Sequence, residues 1–155
     1  MRKALMPLVL ALAGCAPPDG DGLASRIADR VREGDGTTVD VSALSPFEWD
    51  RLHVVGPYHT PETFERETDI DWPLHWRWGH IDLLDDRVLL VFEKGGEAVA
   101  ALEHHRQNGM IAPTCCDLPL YDSEPSGLRP DEAWFVVEVR DDRHFPALER
   151  LPATP

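Results

Sequence analysis

The chain has 155 residues, 43% hydrophobic and 28% charged, which is enough for one domain with a hydrophobic core and unlike a disordered chain. Its 28 acidic and 15 basic residues give a formal net charge of -13 at pH 7. A surface this negative repels phosphate backbones, which argues against nucleic acid as a partner.

Residues 1–14 have the layout of a secretory signal peptide. Arg2 and Lys3 form a positive start, and residues 4–13 are an apolar stretch too short to span a bilayer core of about 30 Å. Cleavage before Cys15 removes two basic residues and no acidic ones, leaving 13 basic against 28 acidic, a net charge of -15. We therefore predict an exported mature chain.

The run Leu12-Ala13-Gly14-Cys15 resembles the lipobox of bacterial lipoproteins. The resemblance implies that a peptidase cuts before Cys15 and that its thiol carries diacylglycerol, so that lipid on Cys15 anchors the protein to the membrane of the cell envelope. Because Ala16 follows the cysteine, the family's sorting rule favours the outer membrane, facing the periplasm, if the source is Gram-negative. The alternative is an ordinary secretory signal with a chance cysteine.

The first predicted elements of the mature chain are a tether and a helix. Residues 15–22 form a lipidated tether, since their prolines and glycines disfavour regular structure. Leu23, Ile27 and Val31 recur at four-residue spacing until Gly34, which predicts an amphipathic helix over residues 23–33.

From residue 37 the pattern favours strands. Residues 38–41 predict a short strand, and residues 47–55 contain a stronger one that Gly56 and Pro57 end. Thr60 and Pro61 then open a short helix. Residues 69–78 form an irregular segment rich in aromatic side chains.

The clearest hairpin lies in the second half of the chain. Residues 87–93 are a continuous apolar run, typical of a strand buried on both faces, and residues 94–97 supply a turn with two glycines. Residues 98–104 return as a weaker strand, residues 111–130 form a loop, and residues 134–139 form the last strong strand. A turn of helix and a tail over residues 152–155 follow.

These elements predict a small single α+β domain over residues 23–151, with a mainly antiparallel sheet and two or three short helices. The pair Trp49-Asp50, the corner Gly56-Pro57-Tyr58 and Glu62 resemble a group of small bacterial lipoproteins of unassigned function. The resemblance spans roughly residues 47–104 and implies no activity, so it transfers no functional residues to this chain.

Cys115 and Cys116 are the most unusual feature after the lipobox. Exported proteins meet an oxidising environment, in which thiols tend to pair. Adjacent Cα atoms lie about 3.8 Å apart, below the usual disulfide range, so a vicinal disulfide between these cysteines is strained and easily reduced. Inert cysteines, a structural vicinal bridge, and redox or metal chemistry all remain open.

A metal site would combine His104 and His105 with Cys115, Cys116 and His144, since zinc accepts nitrogen and sulfur ligands. Adjacent residues of a strand point to opposite faces, however, so His104 and His105 do not both face one ion without a bend. Established zinc sites also separate their paired cysteines by at least two residues. We therefore predict neither a metal nor another cofactor.

A pocket for a sugar or a quaternary ammonium is a further possibility, lined by Tyr58, Trp72, Trp76 and Trp78. Clustered tryptophans more often form a satellite core under a long loop, and that interpretation is favoured.

No common catalytic motif occurs, so an enzyme is the less favoured interpretation. The leading hypothesis is a non-enzymatic envelope lipoprotein that binds another envelope protein or a small ligand. The first alternative is a metal-binding or thiol-redox lipoprotein that uses Cys115 and Cys116. The second is a cell-wall hydrolase that acts through the tryptophan-rich segment.

Overall fold

Helix α1 spans Leu23–Arg32 and opens the part of the chain that the computed structural model describes, which is residues 22–73, 76–114 and 127–151. Leu23, Ile27 and Val31 are buried along one side of the helix, as its period of about 3.6 residues requires. Arg32 lies in the last turn, where a positive charge stabilises the helix dipole. The amphipathic helix predicted from the sequence is confirmed.

The first sheet contains four strands that are distant in sequence. They are β1 Thr38–Asp40, β5 Met110–Ile111, β6 Trp134–Glu138 and β7 Ala147–Arg150. Their order is β1-β6-β7-β5, and the pairs are antiparallel except for β5 with β7. Phe135 and Val137 are buried while Trp134 is exposed, so β6 has one buried face.

The second sheet consists of β2 Arg51–Val55, β3 Arg87–Lys94 and β4 Glu97–His105, in that order and antiparallel throughout. Gly95 and Gly96 form the turn between β3 and β4 with φ angles of 61° and 85°, which glycine adopts without steric cost. The predicted hairpin is confirmed. Every residue of β3 from Val88 to Phe92 is buried, so both faces of this sheet are covered.

Two cores lie on the two faces of the second sheet. The main core receives Leu90 and Phe92 of β3 together with α1 and the buried face of the first sheet. The second core receives Leu89 and Val91 of β3 and lies under helix α3 (Pro61–Thr68) and the tryptophan-rich segment. Alternation along one strand thus divides its apolar side chains between two compartments.

Two short elements differ from the sequence prediction. Val41 was expected at the end of a strand but begins helix α2 (Val41–Leu44), because the Asp40 carboxylate accepts a hydrogen bond from the Ala43 N–H at 3.0 Å. The turn of helix expected near the end of the chain is strand β7 instead. Ala147 and Leu148 are buried there, and pairing with β6 decides the conformation of a segment that has no breaker residue.

The fold class predicted from the sequence is confirmed. The described residues form three α-helices and seven strands in a small α+β domain, with two mainly antiparallel sheets in place of a single one. Within those residues, no helix has the length and hydropathy needed to cross a membrane.

Candidate functional site

The three tryptophans of the predicted aromatic pocket contact one another in the second core. The ring centroids of Trp72 and Trp78 lie 4.5 Å apart, those of Trp72 and Trp76 lie 5.7 Å apart, and both pairs meet at nearly right angles. Phe64 of α3 packs edge-on against Trp72 at 5.9 Å. The indole N–H groups of Trp72 and Trp78 donate to the backbone carbonyls of Trp76 and His59.

These contacts describe a packed satellite core, the interpretation that the sequence favoured over a ligand pocket. Trp72 is only 5% exposed, so little of its ring is open to a ligand. Tyr58, the fourth residue of the predicted pocket, points into solvent with 66% of its surface exposed. The structure therefore brings together three of the four predicted pocket residues, with Trp72 buried and with Trp76 and Trp78 partly buried against it.

The two histidines of the predicted metal site lie on opposite faces of β4. His104 is buried, and its Nε2–H donates to the Gly109 carbonyl at 2.7 Å. His105 is partly exposed, with its Nδ1 3.9 Å from the Asp86 carboxylate. Among the residues that the structure describes, no group of three or more histidine, cysteine, aspartate or glutamate side chains is placed to hold a metal.

Three cysteines lie outside the described residues. Cys15 is the residue predicted to be lipidated. Cys115 and Cys116 are the residues predicted to form a vicinal disulfide or, in the alternative, to supply the sulfur ligands of a metal site. Lipidation, the disulfide and the metal or thiol alternative therefore stay predictions. His144 is described and exposed.

The sequence reasoning missed a buried histidine and carboxylate pair in the second sheet. The Nε2 of His53 lies 2.9 Å from the Oε2 of Glu93, and the two side chains are 3% and 16% exposed. In the register of β2 and β3, Arg51 lies opposite Glu93 and His53 opposite Val91, so His53 and Glu93 are diagonal neighbours on one face. A histidine within an apolar strand is the only sequence signal for this pair.

Burial controls the protonation of His53. It lowers the pKa of the imidazole from its ordinary value, and the hydrogen bond to Glu93 opposes that shift only in part. A neutral imidazole that faces a carboxylate donates its Nε2–H, which leaves Nδ1 as an acceptor. That Nδ1 is buried and has no hydrogen-bond partner among the described residues.

The space around the His53 ring is filled. Gly127 lies so close that a Cβ atom built on it would be 2.9 Å from both Nδ1 and Cε1, and its φ of +69° also favours glycine. The Phe64 ring meets the imidazole edge-on at 5.9 Å. The pair has the chemistry of an acid-base dyad, but its basic nitrogen faces a backbone rather than an open cavity.

A shallow depression of about 410 Å³ lies over the chain between α2 and β2. Its lining residues are Ser42, Ser45, Pro46, Phe47, Glu48 and Trp49. Phe47 and Trp49 pack edge-on against Phe92 at 5.1 Å and 5.4 Å, which fixes the floor of the depression to the main core. The Glu48 carboxylate pairs with Lys94 at its rim.

A second feature, which the sequence analysis did not predict, is a pair of exposed apolar side chains, Tyr58 and Leu83, on turns that a backbone hydrogen bond joins. The Tyr58 N–H donates to the Ile81 carbonyl and the Leu83 N–H to the His80 carbonyl, both at 2.9 Å, so two turns are joined. Tyr58 and His80 hold φ angles of 66° and 57°, which are uncommon for residues other than glycine. Tyr58 and Leu83 are 66% and 70% exposed.

We call this pair the Tyr58/Leu83 surface. Ile81, which lies in the turn that carries Leu83, is buried in the second core, so the surface rests on a packed base. Exposed apolar side chains presented from such a base can bind an apolar group of another molecule.

Comparisons of the chain with protein families, with curated proteins and with solved structures find no match.

Proposed function

We propose that this protein is a lipid-anchored binding module of the bacterial cell envelope. Lipid on Cys15 would hold it at the membrane, and the folded domain would bind another envelope protein. The observation that carries the binding role is the Tyr58/Leu83 surface, where two large apolar side chains are 66% and 70% exposed on strained turns. Strained backbone clusters at functional sites, and exposed apolar side chains mark surfaces that bind other molecules.

The anchor sets which molecules the domain meets. Lipid chains contribute roughly 0.8 kcal/mol per buried CH₂, so two or three chains give a lasting attachment. Residues 16–22 separate Cys15 from the first residue of α1, and a chain of seven residues spans at most roughly 25 Å. The domain would thus work within about that distance of the bilayer.

A labelling experiment tests the anchor. We expect radiolabelled palmitate to enter the full chain made in a bacterial host, and the chain to stay with the membrane fraction after a high-salt wash. Cys15→Ser should lose both the label and the membrane association. Cys115→Ser is the matched control, since it also removes one thiol but leaves the lipobox intact.

A crosslinking experiment tests the binding role separately. Crosslinking in intact cells, followed by purification of the chain, should recover a discrete complex with an envelope protein that depends on Cys15. If Cys15→Ser keeps the label and stays with the membrane, the lipoprotein assignment is wrong. If the anchor is confirmed but repeated crosslinking recovers no complex, the binding role is wrong.

A further inference from the structure

We propose that the Tyr58/Leu83 surface docks a basic region of a partner protein, one that presents an apolar side chain flanked by lysine or arginine. This inference rests on the proposed binding function and names the chemistry of its partner.

The chain segment that carries Leu83 is acidic. The stretch that carries Leu83, residues 69–86, contains five aspartates against the single basic residue Arg77. These aspartates are Asp69, Asp71, Asp82, Asp85 and Asp86. Asp82 and Asp85, which flank Leu83, are exposed and form no ion pair within the described part of the chain.

Helix α3 adds a further carboxylate close to Tyr58 in the chain. Its first turn carries Glu62, four residues after Tyr58, and the Glu62 side chain is exposed. A hydrogen bond with Thr60 lowers the pKa of this carboxyl, so it is ionised at neutral pH. Exposed carboxylates close in the chain to each of the two apolar residues favour a partner of opposite charge and disfavour a partner of like charge.

The apolar centre supplies the contact that charge alone does not. Ion pairs between exposed side chains contribute little binding free energy in water. An apolar contact excludes water and so strengthens the attraction between the opposite charges around it. The backbone hydrogen bond from Tyr58 to Ile81 fixes the two turns on the second core before any partner arrives. A rigid surface of this kind loses little conformational entropy when a partner binds.

Other occupants fit the surface less well. A second copy of this chain has the same formal net charge of -13 and would place carboxylates against carboxylates. Anionic lipid headgroups meet the same repulsion. A basic protein region with an apolar side chain would contact Tyr58 and Leu83 with that side chain and pair its lysine or arginine with Asp82 and Asp85.

Site-specific photo-crosslinking of the full, lipidated chain in intact cells tests the proposal. A photoreactive amino acid replaces Leu83 in one variant and Val139 in the control, which is 54% exposed beside the first sheet. We expect a discrete product at position 83 that is missing at position 139. Mass spectrometry of that product should identify a partner peptide with lysine or arginine flanking its apolar contact residue.

The affinity of the purified partner for variants of the chain then measures the contribution of the aspartate charges and that of the apolar contact separately. Asp82→Asn combined with Asp85→Asn should weaken binding by roughly threefold to tenfold and reduce its dependence on salt. Tyr58→Asn should weaken binding by roughly tenfold or more, since it removes the exposed ring. Asparagine tolerates the left-handed backbone at this position, so the denaturation midpoint should not change.

Several outcomes overturn the proposal. In the photo-crosslinking, they are equal products at positions 83 and 139, a product with a second copy of the chain or with lipid, and a contact peptide without basic residues. In the binding measurement, the overturning outcome is unchanged affinity of the double aspartate variant. A product at position 139 alone would reject this surface and retain the binding function. No product at either position, with palmitate still on Cys15, would also reject this surface, whereas the binding function falls only if crosslinking of the whole chain recovers no complex.

Discussion

The two faces of the second sheet each bury one histidine, and they hold it in different ways. On the side of the main core, His104 donates to the Gly109 carbonyl, and burial lowers its pKa. On the side of the second core, His53 donates to the Glu93 carboxylate, which opposes the same lowering. A carboxylate stabilises a charged imidazole far better than a carbonyl does, so the partner of His53 opposes the effect of burial more strongly than the partner of His104 does.

The two faces also differ in what covers them. The main core lies between α1 and two sheets, whereas the second core is closed by one eight-residue helix and an irregular segment. Short helices and irregular segments have few long-range contacts, so they open more readily than strands. The comparison therefore predicts that the second-core face opens locally while the main-core face opens only with the whole domain.

The largest test replaces one fully buried ring in each core. Phe92→Ala in the main core and Phe64→Ala in the second core should each lower the free energy of unfolding by about 3–5 kcal/mol. Hydrogen exchange should separate them. Phe64→Ala should accelerate exchange mainly in α3 and residues 69–73 and 76–81, while Phe92→Ala should accelerate exchange in the strands of both sheets. Identical exchange patterns in the two variants would show that the faces unfold as one unit.

A smaller test probes the close packing beside His53. Gly127→Ala adds a Cβ atom 2.9 Å from the imidazole at a φ of +69°, so it combines overpacking with backbone strain. We expect the free energy of unfolding to fall by about 2–4 kcal/mol, measured by chemical denaturation. The matched control is Gly96→Ala, with a φ of +85° and open space around it, which should cost only about 1–2 kcal/mol. Equal losses would mean that the backbone, and not the His53 contact, requires glycine.

Local signals predicted one part of this fold, and non-local pairing determined the rest. The spacing of Leu23, Ile27 and Val31 predicts α1, and the two glycines between apolar runs predict the hairpin of β3 and β4, because each signal lies within one element. The segment of β7 fits a helix or a strand equally well, and only its pairing with β6 decides. The number of sheets depends on the same long-range contacts.

The candidate sites follow the same rule. Tryptophans 72, 76 and 78 are close in sequence, so the sequence could predict that they cluster, although not that Trp72 is buried while Trp76 and Trp78 stay partly exposed. His53 and Glu93 are 40 residues apart and meet only through the register of β2 and β3. The Tyr58/Leu83 surface likewise depends on a hydrogen bond between two distant turns, which no local pattern reveals.

The smallest test asks whether Glu93 sets the acid response of the second-core face. Glu93→Gln keeps an oxygen that accepts the His53 Nε2–H but removes the charge that raises the pKa of His53. An unfolded histidine titrates near pH 6.5, whereas burial lowers the pKa of folded His53 and His104. Below about pH 6.5 the unfolded chain therefore binds more protons than the folded chain does. The free energy of unfolding consequently decreases as the pH is lowered.

Without the Glu93 charge, His53 resists protonation in the fold to a still lower pH, so the variant loses stability over a wider range. Between pH 7.5 and pH 5, its free energy of unfolding should fall further than that of the unmodified protein. Glu103→Gln is the matched control, because it removes the same charge from the sheet where Glu103 pairs with Arg87 rather than with a buried histidine. Its curve should run parallel to that of the unmodified protein. A parallel curve for Glu93→Gln as well would mean that the carboxylate orients His53 without stabilising its charge, and the two faces of the sheet would then respond to acid alike.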